Sequence, residues 1–109
     1  MATESLLEST EEAVADPGVL LHVHKLMERG GPFPFRCSKF RIDAGARTSL
    51  DSHAVSELWF VASGDVTVYI EDQPQAAVSG DVLHFKPWQK HCVVNAGSSP
   101  ALIFSVWWS

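Results

Sequence analysis

The sequence predicts an all-β fold, either a sandwich or a barrel, and three observations support this prediction. Of its 109 residues, 46 % are apolar, which is typical of a globular domain with a single core. Beyond residue 18 the helix signals disappear. Short runs rich in β-branched and aromatic residues follow at nearly regular spacing, with Gly, Pro and Asn turns between them. We therefore expect about seven or eight strands in one domain.

The first 18 residues differ in composition from the rest of the chain. Five acidic residues precede the first basic one. Ser9 and Glu12 have the spacing of a helix capping box, and Asp16-Pro17-Gly18 would end such a helix. We expect an acidic N-terminal leader over residues 1–18 that is a short helix or disordered, followed by a barrel domain over residues 19–109.

The predicted strands begin directly after this leader. Each is an apolar run bounded by turn residues, and in order they are VLLHVHKLM (19–27), CSKFRID (37–43), ELWFVAS (57–63), VTVYIED (66–72), VLHFK (82–86), HCVVN (91–95) and ALIFSVWW (101–108). Gly64-Asp65 is a tight-turn dipeptide, which predicts a turn between the third and fourth runs. Gln73-Pro74-Gln75 predicts another turn after the fourth run.

The charge pattern argues against several classes of partner. The net charge is −5, but from residue 17 onward eight acidic residues balance eight basic ones and no basic stripe forms. Binding to nucleic acid or to an anionic membrane surface is therefore not expected, and no apolar run is long enough to cross a bilayer. The N-terminus lacks the basic and apolar regions of a secretory signal, and Cys37 and Cys92 fit no metal or redox spacing. We expect a cytoplasmic protein with reduced cysteines.

The stretch DSHAVSELW, residues 51–59, carries the strongest functional signal. Asp51, His53 and Glu57 are separated by two and four positions, so in an extended chain their side chains lie on one face. Imidazole and carboxylate groups are common ligands of Fe, Mn, Zn, Ni and Cu. A second strand must complete such a site, and His91 at the start of HCVVN is the candidate. We therefore expect a metal site that contains these four residues.

The first of two segments resembles a motif of the cupin superfamily. The run Gly45…His53-x3-Glu57-x6-Gly64 is similar to the first cupin motif, G-x5-H-x-H-x3,4-E-x6-G. Asp51 stands where that motif has its first His. The resemblance implies that His53 and Glu57 are metal ligands, and that Asp51 supplies a carboxylate that could still coordinate.

The second segment, GDVLHFKPWQKHCVVN, resembles the second cupin motif. Gly80 lies eleven residues before His91, and Asn95 lies four residues after it, as in that motif. Trp88-Gln89 occupies the loop where the motif has a Gly. The resemblance extends over about residues 37–108 and implies a double-stranded β-helix, the cupin-type jelly-roll barrel.

The resemblance also implies a cofactor and a function. The cofactor would be one divalent transition metal: Fe, Mn, Zn or Ni. Two imidazoles and two carboxylates make a more anionic ligand set than is usual in the family, which slightly favours Mn or Fe. The implied function is a small-molecule enzyme, either a dioxygenase, an isomerase or epimerase, or a lyase, with the metal as Lewis acid or O₂ anchor and Asp51 and Glu57 as candidate catalytic groups. The alternative is a non-catalytic small-ligand-binding or accessory cupin, with or without a metal.

Two further residues are candidates for the wall of the barrel cavity. Trp59 shares the parity of Glu57, and His84 lies on the strand after Gly80. The H-x-H of residues 22–24 lacks a Glu at the motif spacing, and we expect it not to bind the metal.

Two groups of residues bear on partners. Lys39, Arg41 and Arg47 lie near the first motif, where they would either clamp an anionic substrate or simply be solvated. Trp107 and Trp108 are adjacent, so one of them must point outward from the last strand. Together with the open edges of a small barrel, this predicts a homodimer.

Overall fold

A computed structural model describes residues 6–27 and 32–109, and all regular secondary structure in these two ranges is β. Nine strands lie within them: β1 Leu7–Asp16, β2 Val19–Leu26, β3 Arg36–Ile42, β4 Ser56–Ser63, β5 Asp65–Ile70, β6 Gln73–Val78, β7 Val82–Phe85, β8 His91–Val94 and β9 Ala101–Trp108. Across the described ranges, no helix is long and apolar enough to cross a membrane. The predicted all-β fold is confirmed.

The strands form two antiparallel sheets, which together make the jelly-roll barrel. The larger sheet has six strands in the order β1-β2-β3-β9-β4-β7, and the smaller has three in the order β6-β5-β8. Because β9 lies between β3 and β4, the last strand of the chain contacts the strand that carries Glu57. The smaller sheet contributes β8, which begins with His91.

The N-terminal leader differs from the prediction. Residues Leu7–Asp16 form the edge strand β1, which pairs with β2 along its length, and not a helix. Pro17 and Gly18, which predicted the end of a helix, form the turn of this hairpin instead. The helix prediction was wrong because β2 offers a row of unpaired backbone groups, and pairing with them outweighs one capping box. Nine of the ten residues of β1 are exposed and only Asp16 is half-buried, so the sequence of this strand shows no alternation of apolar and polar residues.

The turn predicted at Gln73-Pro74-Gln75 is also displaced. Glu71 and Asp72 make the turn, with φ values of 48° and 65°, and Gln73 already pairs with Ile70 as the first residue of β6. Pro74 is accommodated in a strand because β6 lies at the edge of the smaller sheet, where a missing N–H costs no ladder hydrogen bond.

Gly64 does not make the predicted hairpin turn, because β4 and β5 belong to different sheets. The chain instead crosses from one sheet to the other at this residue. Gly64 has a φ of +96°, and a Cβ at this position would lie 2.8 Å from Ala101 Cβ and 2.9 Å from Ala101 Cα. Glycine is therefore required here for both conformation and space.

The inward side chains divide the barrel into two ends. Along β9 the inward positions run from Ala101 and Ile103, both fully buried and aliphatic, to Ser105 and Trp107. Strands β3 and β4 show the same change, from Ile42 to Ser38 and from Val61 to Glu57. We call the first region the packed end; its buried side chains include Val19, Ile42, Val61, Val66, Val68, Val93, Ala101 and Ile103. The second region, the open end, surrounds a cavity.

Candidate metal centre

The open end holds a cavity of about 500 Å³ between the two sheets. Its wall is formed by inward side chains of β2, β3, β4 and β9, by the last two residues of β1, by the segment that precedes β4, and by the first residue of β8. Asp51, His53, Glu57 and His91 all line this cavity. The structure therefore brings the four sequence-predicted residues to one site.

Three of these residues form a group that could hold a metal ion. Ligand atoms of His53, Glu57 and His91 all lie within 4.8 Å of one another. The three side chains enter from different directions: Glu57 from β4, His91 from β8 and His53 from the segment before β4. The backbone N–H of Trp88 donates to the carbonyl of His53 at 2.5 Å, and Ser52 Oγ donates to the carbonyl of Trp88 at 2.8 Å. These bonds tie the segment carrying His53 to the loop before β8.

Glu57 is held by hydrogen bonds that the sequence did not reveal. Its Oε2 accepts one from Trp59 Nε1 at 3.0 Å and another from Ser105 Oγ. Its Oε1 lies 3.4 Å from His91 Nε2. Burial opposes ionisation of this carboxyl, but hydrogen bonds from His91, Ser105 and Trp59 outweigh it and lower the pKa. Glu57 is therefore a carboxylate with one oxygen fixed and the other directed at the histidine.

His91 is fixed through its other nitrogen. Nδ1 lies 2.9 Å from the carbonyl of Gln89, an acceptor, so Nδ1 carries the proton and Nε2 faces Glu57. Phe85 stacks on the ring at 4.2 Å, and the edge of Trp59 closes another side. Burial disfavours the imidazolium, but the hydrogen bonds to Glu57 and to the Gln89 carbonyl prevail and raise the His91 pKa. A ring oriented in this way is ready to ligate through Nε2.

Asp51 occupies a different position from the one expected. Its backbone N–H and carbonyl pair with those of His91 at 2.9 and 3.0 Å, so it lies beside the site, but its side chain is exposed. The extended geometry assumed for residues 51–57 was wrong, because the chain bends at residues 54 and 55 and the extended strand starts only at Ser56. Asp51 also lies outside the group of converging ligand atoms. Its role as a fourth ligand stays a prediction.

The remaining candidates divide into one that lines the cavity and several that do not. Trp59 lines it and is 4 % exposed. His84 points to the outer face of the larger sheet, where it stacks on Trp108 with 6.2 Å between ring centroids, so its place in the wall was wrong. His22 and His24 also lie on that outer face, away from the cavity wall. His22 contacts Glu12 at 2.9 Å, and His24 contacts Thr10 at 3.2 Å.

The candidate anion clamp is not found at the cavity. Lys39, Arg41 and Arg47 are absent from its wall, and Arg41 Nε lies 3.4 Å from Asp43 Oδ1. Lys39 and Arg41 alternate with the inward residues Ser38 and Phe40 of β3, so they lie on the opposite face of the sheet.

Sequence reasoning missed the role of Ser105. This residue is buried, lies directly opposite Trp59 in the β4–β9 ladder, and donates to Glu57 across the sheet. One signal was present: a serine at an inward position of the otherwise apolar run ALIFSVWW. Buried hydroxyls need a partner, so such a serine indicates a polar group nearby.

The Cupin domain family model matches residues 38–107, more than half of the chain. The protein belongs to the cupin family. Solved structures agree in fold: KdgF from a Halomonas species has a TM-score of 0.77 at 16 % identity, covering 96 % of this chain and 93 % of that one. A cupin-superfamily sugar phosphate isomerase from Silicibacter pomeroyi has a TM-score of 0.72 at 24 % identity, covering 94 % and 71 %. A predicted oxalate decarboxylase from Thermotoga maritima has a TM-score of 0.71 at 15 % identity, covering 98 % and 97 %.

The donor set of this cupin fits a divalent transition metal. Two imidazoles and one carboxylate are ligands that such ions accept, and their donor atoms already converge without rearrangement of the backbone. Hydrogen bonds to the Gln89 carbonyl and from Ser105 and Trp59 orient two of the three ligands. Partners of this kind are typical of metal sites.

Proposed function

We propose that this cupin is a metal-dependent enzyme acting on a small molecule. The observation that carries the proposal is the convergence of His53, Glu57 and His91 on a cavity large enough for a small ligand. A bound divalent ion would supply a Lewis acid or an O₂-binding centre at that position. The chain itself supplies a fixed carboxylate, an oriented imidazole and a largely apolar enclosure.

The reaction is a dioxygenase, isomerase or epimerase, or lyase reaction. The relatives named above include an isomerase and a predicted decarboxylase, which supports small-molecule chemistry without selecting one reaction. Glu57 is the candidate catalytic carboxylate. Since Ser105 and Trp59 hold Oε2, only Oε1 faces the site, so proton transfer and metal binding would compete for the same oxygen.

For the metal we propose Fe or Mn ahead of Zn or Ni. With Asp51 outside the ligand group, the protein offers two neutral imidazoles and one carboxylate. That set, with open positions, is typical of non-haem Fe(II) sites, and oxygen ligands suit Mn. The preference therefore rests on donor type and not on the more anionic set first expected.

A specific observation supports the alternative, a ligand-binding cupin that works without a metal. Glu57 and His91 form an ion pair with Nε2 and Oε1 3.4 Å apart, and both side chains have further hydrogen bonds. Within the described residues, no buried side-chain polar atom lacks a partner. The site is therefore electrostatically satisfied by protein groups alone.

Metal content decides between the two. We expect elemental analysis of the purified protein to give close to one transition metal per chain. His91→Ala should lose the metal and keep the circular dichroism spectrum of a β-protein, whereas His22→Ala, a matched change on the outer face, should keep the metal. Absence of metal as purified, together with no uptake of Fe(II), Mn(II), Zn(II) or Ni(II), would favour the metal-free alternative.

We also propose that the protein is a cytoplasmic homodimer. Val82, Phe60 and Phe104 lie side by side on the outer face of three adjacent strands and are 56 %, 40 % and 40 % exposed. A second copy would cover this apolar row. Light scattering should give a dimer mass for the native protein and a monomer mass for Phe104→Glu, while Val78→Glu on the smaller sheet should remain dimeric. Free cysteines at residues 37 and 92 support a reducing compartment.

A further inference from the structure

The cavity wall changes character across the larger sheet. Beside the ligand group it carries Glu57 on β4 and Ser105 on β9. On β2, two strand positions from β9 and three from β4, it carries Leu21 and Val23. Strands lie about 4.8 Å apart, so these two regions are separated by about 10 to 14 Å along the sheet. The cavity therefore has a polar head region and an apolar body region.

The charges on the wall are all acidic, apart from the two histidines. Asp16, Asp51 and Glu57 line the cavity together with His53 and His91, and none of the seven Lys and Arg residues within the described ranges does. The eighth basic residue, Arg29, lies outside those ranges. A divalent ion next to one carboxylate leaves a single net positive charge. A doubly charged anion would exceed that charge and would face Asp16 and Asp51 without a basic partner.

We propose that the cavity takes a molecule with an apolar body and one uncharged or singly charged oxygen-donor head, and that it disfavours dicarboxylates and phosphate monoesters. This inference rests on the metal-dependent function proposed above for the position of the head. The preference for an apolar body comes from β2 and β3 and does not depend on the metal. Leu21, Val23 and Phe40 supply the surface against which the body packs.

The body preference is tested with two ligands that share one head. Tropolone and its isopropyl derivative hinokitiol are both singly charged oxygen chelators, so metal chemistry cancels in their ratio. Calorimetric titration of the Zn(II)-loaded protein should show hinokitiol binding at least about 10-fold more tightly, because three additional carbons are buried. Zn(II) is chosen because it has no redox chemistry. Equal affinities for the two would overturn the proposal.

The charge preference is tested by adding the cation that the wall lacks. Leu21→Lys places an ammonium on the body region, while Leu20→Lys, its matched control, places one on the outer face of the same strand. Oxalate affinity relative to tropolone should rise about 10-fold in Leu21→Lys and stay within about twofold of wild type in Leu20→Lys. Equal oxalate preference in both variants would overturn the exclusion of dianions. Should Leu21→Lys not fold, the tropolone and hinokitiol pair still tests the body preference with the native chain, and a native affinity for oxalate equal to that for tropolone would overturn the exclusion of dianions.

A separate measurement distinguishes failure of the proposed metal site from failure of the proposed ligand class. Zinc content is measured before and after each titration, and the hinokitiol preference is measured again on metal-free protein, where it should persist. No zinc uptake with a retained hinokitiol preference would refute the metal site and support the apolar body. Full zinc occupancy with no hinokitiol preference would support the metal site and refute the ligand class.

Discussion

The two ends of this barrel are built from the same strands but serve different purposes. On β9, Ile103 is fully buried among aliphatic side chains at the packed end, while Ser105, two positions further, donates a hydrogen bond to Glu57 at the open end. Both side chains face inward and both are almost completely buried. Burial alone therefore does not distinguish the structural end from the functional end; what distinguishes them is whether a buried position needs a hydrogen-bond partner.

Folding stability should depend mainly on the packed end, and metal affinity mainly on the open end. At the packed end each side chain excludes water, and its loss leaves a cavity. At the open end the space is already present, and the side chains orient polar groups. Substitutions at the two ends of one strand should therefore separate a loss of folding free energy from a loss of metal affinity.

The largest effect is expected at the packed end. Ile103→Ala should lower the free energy of unfolding by about 2–5 kcal/mol, because Ile103 is 0 % exposed and its removal leaves a void. Urea denaturation of the metal-free protein measures this. The matched control is Leu102→Ala, which changes a half-exposed neighbour on the outer face of the same strand and should cost clearly less. Equal costs for the two would remove the distinction between the inner and outer faces.

The next effect concerns the open end. Ser105→Ala should weaken metal affinity about 10- to 100-fold, because Glu57 loses one of the two donors that fix Oε2. Competition with a chelating dye measures the affinity. Ser79→Ala, which removes a hydroxyl that donates to the Ala62 carbonyl, should leave it unchanged. If Ser105→Ala lowers stability as much as Ile103→Ala and leaves metal affinity intact, Ser105 belongs to the packed end.

The two ends also differ in what the sequence could predict. Alternation of apolar residues marks inward positions such as Val61, and motif spacing indicated His53, Glu57 and His91. Neither pattern could identify Ser105 and Trp59 as hydrogen-bond partners of Glu57. Ser105, for example, lies 48 positions from Glu57 in the sequence and meets it only through the β4–β9 ladder.

The sequence did not predict strands β1 and β6, and both were missed for the same physical reason. β1 is exposed at nine of its ten positions, and β6 has a single buried residue, Ala77. Both are edge strands of their sheets. An edge strand exposed in this way buries too little for an apolar pattern to show, and its structure depends on the hydrogen bonds offered by its neighbour.

A pH series on the metal-free protein tests the ion pair between Glu57 and His91 at the open end. The His91 pKa is raised above its ordinary value of 6.5, so the stability contributed by its protonated form is full below pH 6.5 and is lost as the pH rises through the folded-state pKa. The Glu57 pKa is lowered below 4.5, so its contribution is present above pH 4.5 and is lost as the pH falls through the folded-state pKa. The metal-free protein should thus be most stable between about pH 4.5 and 6.5.

Thermal melts at pH 5.5 and pH 8 measure this difference. Glu57→Gln should reduce it, because the charged partner of His91 is gone while the shape of the side chain remains. Metal affinity should move the opposite way and increase as His91 loses its proton, since the imidazole must be neutral to coordinate. A metal-free protein that is more stable at pH 8 than at pH 5.5 would contradict the ion pair.

The smallest effect is expected in the loop that ties the open end together. Trp88 has a φ of +65°, a region that costs a residue with a Cβ about 1–2 kcal/mol, and the resembled motif places a Gly in this loop. Trp88→Gly should relieve that strain and lose about 0.5–1 kcal/mol to the greater freedom of the unfolded chain, for a net stabilisation of about 0–1.5 kcal/mol. Trp88→Ala is the control, because Ala keeps the strain and removes only the indole, which is 66 % exposed. The urea midpoint should therefore be higher for the Gly variant than for the Ala variant.

Both variants should keep metal affinity within about twofold, since the hydrogen bond to the His53 carbonyl comes from the backbone and survives either change. A Gly variant less stable than the Ala variant would show that the left-handed conformation at Trp88 is not strained. The open end would then be as relaxed as the packed end.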